Sequence, residues 1–157
     1  MYGEFLDILM KKIIHMKFII KLRTIKNSDY QFLYDLLLER KNFVNINHKK
    51  LPTFREHENF IKSKPYEKWY IIIDDNNIKL GTIYLTKKSE IGIFIKNSYS
   101  KLGIGSVALQ LLISKNPKKI FYANINPQNT SSMKFFKKNG FKPLKFVFEL
   151  NNEKKHV

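Results

Sequence analysis

The chain has 157 residues, of which 43% are hydrophobic and none is cysteine, so it can bury the core of one domain, while disulfides and thiolate metal sites are excluded. The formal charge is +16, yet only Arg23, Arg40 and Arg55 among the 29 basic residues are arginine, and the lysines are scattered. Bidentate phosphate and guanine recognition favours arginine, so the composition points away from nucleic acid and towards steering of a small anionic ligand.

The opening MYGEFLDILMKKIIHM lacks the apolar core and cleavage site of a signal peptide, and no apolar run is long enough to span a membrane. Residues 1–15 are expected to be an appendage, residues 16–150 a single domain and residues 151–157 a polar tail, with a cytoplasmic location. KFIIKLRTI is rich in β-branched residues and predicts a strand. NSDYQFLYDLLLERKN follows as a helix, with Asn27 or Ser28 as N-cap and Phe32, Leu33, Leu36 and Leu37 on one face. After a polar loop, TFREHENFIKS predicts a second helix, because Thr53 and Glu56 have the spacing of a capping box. KWYIIID, IKLGTIYLT and EIGIFIK read as three strands of an antiparallel meander, with DDNN and a polar turn between them.

The loop SKLGIGS then leads into an apolar helix, KKIFYANI predicts another strand, and Asn129 caps a helix that ends at Gly140. FKPLKFVFEL supplies a last strand. The order β-α-α-β-β-β-α-β-α-β gives an α+β fold with a central mixed sheet, because the helix after EIGIFIK makes a parallel crossover. Ligands favour the carboxyl ends of such strands. Gly103 and Gly105 lie there, ahead of Ser106, where glycines let the backbone approach a ligand and the helix start offers unpaired donors to a diphosphate. In isolation the same pair reads equally as a tight turn. It is neither a Walker loop nor a dinucleotide fingerprint. None of the four histidines has metal-ligand spacing, so no metal is expected.

With NPQNTSSMKFFKKNGF following at its expected distance, residues 17–150 resemble the GNAT family of N-acetyltransferases. SKLGIGS resembles the family's pyrophosphate loop, and the Asn129 segment resembles its second cofactor motif. The resemblance implies acetyl-CoA as cofactor and a sheet splayed between its fourth and fifth strands. By position, Lys101, Leu102, Gly103, Ile104, Gly105 and Ser106 would cradle the pyrophosphate, and Ile95 and Lys96 would lie beside the pantetheine. Asn129 would hydrogen-bond the pantetheine arm, and Lys134 and Lys138 are placed to reach the adenosine phosphate. Two positions depart from the pattern: Ser100 replaces the usual Gln or Arg, and Phe136 replaces the tyrosine that many members use as general acid. Phenylalanine has no proton to donate.

Acetyl transfer requires a neutral amine, hence a base or a water relay. Glu90, at the start of the strand nearest the cofactor, is the first candidate, with a strand-start polar residue as its plainer reading. His57 on the capped helix is the second, and Tyr122, Tyr84 and Tyr99 are candidate acids or pocket walls, with Trp69 a wall or core residue. The acceptor half, with Arg40, Asn42, Glu56, His57 and Phe60, resembles GNATs that acetylate nucleotide-linked aminosugars in surface-glycan pathways. Basic residues Lys49, Lys50 and Arg55 suit a diphosphate sugar. The expected partner is therefore a small-molecule amine, with a homodimer left open. Acetylation of peptide or ribosomal-protein N-termini, or a GNAT that binds CoA without turnover, are the alternatives.

Overall fold

A computed structural model describes residues 19–40, 50–148 and 150. Four strands, β1 (Lys21–Thr24), β2 (Lys68–Ile73), β3 (Lys79–Leu85) and β4 (Ile91–Ile95), form an antiparallel sheet in sequence order. Among the described residues four α-helices accompany them: α1 (Tyr30–Leu38), α2 (Phe54–Lys62), α3 (Ile104–Lys115) and α4 (Thr130–Lys138). No helix among the described residues is long and apolar enough to cross a membrane.

The period-two alternation of β2 and β3 sends their side chains to opposite faces, and each face recruits its own helices. Ile72, Ile83, Leu85 and Ile91 pack with Ile104, Ala108, Leu109 and Leu112 of α3 in one apolar cluster. On the other face Ile71 and Ile73 pack with Leu33 of α1 and Ile61 of α2. The near-continuous apolar run of β2 is thus explained by a sheet covered on both sides. Neither Asn27 nor Ser28 caps α1 directly; residues Asn27–Asp29 form a 3-10 turn and Asp29 sits at the N-cap position.

Asp29 is fully buried and ties this turn to two strands. Its carboxylate accepts both terminal nitrogens of Arg23 at 2.9 Å, the Lys26 amide at 2.7 Å and Lys79 Nζ at 2.8 Å. The expected capping box of α2 is present: Glu56 N donates to Thr53 Oγ1 at 3.3 Å, and Thr53 N donates to Glu56 Oε2 at 2.7 Å.

Two expected strands take another form. Over residues 118–125 there is a single parallel bridge, Glu90 to Tyr122, so the four-stranded sheet is antiparallel rather than mixed. Residues 141–148 form no strand, and Leu144, Phe146, Val147 and Phe148 are highly exposed. Strand propensity measures how well a side chain fits a half-buried pleated surface, and neither segment has strands on both sides to provide one. The α+β class stands. The expected appendage at residues 1–15 and tail at residues 151–157 lie outside the described residues.

Candidate active site

At the carboxyl end of β4 the chain makes a 3-10 turn at Asn97–Tyr99 and enters α3 through Lys101 and Gly103, both left-handed (φ 62° and 78°). Glycine adopts that conformation without strain and lysine does not, so this loop holds an unusual backbone. α3 then starts without a side-chain cap and with no acid in its first turn. The first N–H groups of a helix have no acceptor within it, so those of Ile104, Gly105 and Ser106 are open donors at the positive end of a twelve-residue helix. An acyl-CoA pyrophosphate fits this donor set, with Lys101 exposed beside it.

A second helix end supports the loop. Asn139, at the carboxyl end of α4, donates through Nδ2 to Ser106 Oγ at 3.1 Å and to Phe135 O at 2.9 Å. Gly105 has its own reason to lack a side chain: a Cβ there would lie 3.0 Å from the Phe135 ring. Asn129 is buried and caps α4, accepting from Ser132 N at 3.1 Å through Oδ1. Phe136 is also buried, edge-on to Phe135 and Phe141. It is packing, with no polar atom at that position. Leu102 is half-buried against the α3 cluster.

The pairing around Glu90 defines the edge between these parts. Ile91 N donates to Tyr122 O at 2.8 Å and Tyr122 N to Ser89 O at 2.9 Å, and no bridge between the two segments follows. Lys96 N donates back to Leu80 O at 2.8 Å, so the even-numbered amides of β4 point at β3. By antiparallel alternation, those of Ile93 and Ile95 point the other way, at the edge where pairing has stopped. Ile95 thus offers its amide beside the loop, whereas the Lys96 amide is already used.

The three candidate acid–base residues are not together. Glu90 Oε1 accepts from Asn124 Nδ2 at 2.9 Å and Oε2 from Thr86 Oγ1 at 3.3 Å, and Tyr122, its bridge partner, is exposed. Alternation along β4 puts Glu90 on the same face as Gly92 and Phe94, yet neither Glu90 nor Tyr122 lines the cavity on that face. His57 does. That cavity, about 510 Å³, lies between α1, α2 and β2–β3, walled by Phe60, Tyr66, Trp69 and Tyr84. Tyr66 and Tyr84 stack face to face with centroids 3.8 Å apart, and Tyr84 lies where a Cβ on Gly92 would run into its ring. Burial first, then the Tyr84 hydroxyl, pushes the Tyr66 phenol far above its ordinary pKa.

Arg40 and Lys50 also line this cavity; among the described residues Glu56 is the one acid that does, and its Oε2 accepts from Thr53. Arg40 lies just past α1, its guanidinium 5.2 Å from the Phe94 ring centroid. Burial lowers its pKa, against the raising effect of Tyr84 and Tyr66. Burial and then the charge of Arg40 hold the His57 imidazole below its ordinary pKa, so it is neutral at pH 7. Asn139, Tyr66 and the cavity-facing role of Arg40 were not among the site residues expected from sequence. Asn-Gly at a helix end was the available signal for Asn139; the tyrosine stack pairs residues 18 apart on different elements and leaves no local mark.

Residues 20–142 match the family model described as an acetyltransferase (GNAT) domain. No curated protein matches the chain. Among solved structures, the chain is similar to a domain from Methanocaldococcus jannaschii, at 24% identity and a TM-score of 0.71 over 83% of this chain and 92% of that one. It is also similar to a spermidine N-acetyltransferase from Vibrio cholerae in complex with CoA and spermine, at 17% identity and 0.69 over 84% and 88%. A GNAT-family acetyltransferase from Bacillus anthracis aligns at 21% identity and 0.63, over 78% and 80%. At these identities the likeness is one of fold.

Proposed function

The chain belongs to the GNAT acetyltransferase family, whose fold binds acetyl-CoA, and from that premise we propose that it acetylates the primary amine of a nucleotide-linked aminosugar. The observation that carries the choice of acceptor is the lining of the cavity between α1, α2 and the sheet: aromatic walls, Arg40 and Lys50, and, among the described residues, a single acid that also caps a helix. A polyamine carries several positive charges and would meet Arg40 and Lys50 there, with Glu56 the one lining carboxylate among the described residues to offset them. A ring with an anionic substituent meets stacking surface and a cation instead.

Acetyl-CoA supplies the acetyl group as an activated thioester. The amides of Ile104, Gly105 and Ser106 hold its pyrophosphate, Lys101 adds a point charge and Asn139 fixes Ser106. The Ile95 amide faces the open edge, where it can donate to a carbonyl oxygen. His57 is the base that takes the proton of the acceptor amine, because it is neutral, sits in the cavity and has Nε2 free. Glu90, with its oxygens engaged by Thr86 and Asn124, holds the turn between β3 and β4. Phe136, in place of the usual tyrosine, has no proton to give, so that position supplies no acid for the CoA sulfur.

The test is release of free thiol from acetyl-CoA with a panel of uridine- and thymidine-diphosphate aminosugars, peptides and polyamines. Release with the aminosugars, well above the other classes, supports the reading. Release with polyamines alone overturns the acceptor. Binding of CoA without release from any amine makes the protein a CoA-binding member without turnover.

A further inference from the structure

Among the described residues, only two buried side-chain polar atoms have no hydrogen-bond partner, Arg40 Nε and His57 Nε2. Both belong to residues that line the same cavity. Buried polar groups are almost always satisfied, and an unpaired one costs about 1–3 kcal/mol, more if it is charged. The fold tolerates two of these at one place. A buried guanidinium without a carboxylate is the more telling, because arginine cannot shed its charge.

The rest of the molecule shows that this chain pairs its buried charges when structure is the purpose. Asp29, fully buried, receives two cations and a backbone amide. Arg40 receives the face of Phe94 and, among the described residues, no carboxylate. A cation–π contact leaves the in-plane Nε–H donor of the guanidinium unused, and the in-plane donors are the ones that match an oxyanion. No described residue supplies that acceptor, and the cavity that Arg40 lines gives an acceptor from outside a way in.

We propose that Arg40 is the anchoring residue of the acceptor site, receiving an oxyanion on the acceptor substrate while the amine of the same molecule faces His57. The inference rests on the acetyltransferase reading and narrows it to acceptors that carry an amine and a phosphate or carboxylate together. Arg40 does not touch the transferred group. It selects and positions. Both sources of oxyanion suit the planar fork, and the diphosphate of a nucleotide sugar is one of them.

The experiment measures KM and kcat of the full chain and of the Arg40→Gln and Arg40→Lys variants. The acceptors are a phosphorylated aminosugar, the same aminosugar without phosphate, an amino-acid-type carboxylate and spermidine. We expect Arg40→Gln to raise KM for the preferred anionic acceptor about 30-fold, the loss of one charged hydrogen bond, with kcat little changed. KM for the uncharged aminosugar stays the same, and Arg40→Lys falls between. Whichever anionic acceptor loses most identifies the oxyanion. An equal loss on charged and uncharged acceptors, or a wild-type preference for spermidine, overturns the proposal. If no amine is acetylated at all, it is the acetyltransferase reading that fails. Titration with uridine diphosphate then decides about Arg40 alone: binding that Arg40→Gln and Arg40→Lys both weaken supports the anchor, and no binding, or binding unaffected by either, overturns it.

Discussion

The two faces of the sheet solve different problems with the same strands. Behind β3 and β4, α3 lays Ile104, Ala108, Leu109 and Leu112 against Ile83, Leu85 and Ile91, all nearly inaccessible. The face under α1 and α2 has a smaller apolar cluster, and the rest of its area is given to stacked rings, two unpaired nitrogens and a cavity. A helix whose first turn must present bare amides has to be held rigidly, and dense packing does that. A site that must admit a whole molecule cannot be filled. On the proposed reading, the cofactor belongs to the packed face and edge and the acceptor to the open one.

That division can be broken one side at a time. Gly105→Asp puts a side chain against the Phe135 ring and a carboxylate at the helix start meant for a pyrophosphate. Like-charge juxtaposition costs several kcal/mol, so CoA affinity should fall by about 100-fold or more in equilibrium titration. An unchanged affinity would show that the glycine loop is only a turn. His57→Gln is the matching change on the other face. It should lower kcat by about 100-fold or more, the range for loss of a general base, while CoA binds as before. Loss of CoA binding in that variant would mean that the two faces are not independent.

These two faces were not equally legible. Gly103, Gly105, Ser106 and Asn129 lie in short contiguous motifs whose chemistry is backbone chemistry, and a sequence records backbone requirements locally. The capping box of α2 was legible for the same reason. The acceptor face is assembled from α1, α2, β2 and β3, so His57 could be suspected but its burial and free Nε2 could not be known. Arg40 was visible only as part of an acceptor-half likeness. Its lack of a carboxylate partner is a fact about space. Strand patterning misled at residues 118–125 and 141–148 because alternation states what a segment could pair, and not whether a neighbour is present.

The frame that holds α1 over the cavity offers a third test. Asp29 would by burial alone have a raised pKa, but Arg23, Lys79 and the Lys26 amide outweigh burial and hold it well below the usual carboxylate range. Its stabilising contribution is therefore full above the ordinary carboxyl pKa of about 4 and is lost as pH falls from there towards the folded value. Asp29→Asn should cost about 3 kcal/mol at pH 7 in denaturant unfolding, because it leaves two cations facing a buried neutral group. The difference between the two proteins should shrink steadily in acid. A constant difference down to pH 2 would mean that packing of the turn, and not charge, sets the stability.

The smallest effect separates the two carboxylate and imidazole readings of the base. If His57 takes the proton, kcat/KM falls as pH drops through its pKa, which burial and then the Arg40 charge hold below the ordinary histidine value. Arg40→Gln removes the second cause and leaves the first, so the acidic limb should move to higher pH while remaining below that of a free imidazole. Glu90→Gln should leave the limb where it is. Its carboxylate only accepts bonds from Asn124 and Thr86, and weakening them should cost about 1 kcal/mol of stability. A limb that moves with Glu90 and not with Arg40 would transfer the base to β4 and leave His57 as a wall of the cavity. The Arg40 shift is the more informative of the two, because it requires the guanidinium and the imidazole to share one cavity in solution, as the geometry has them.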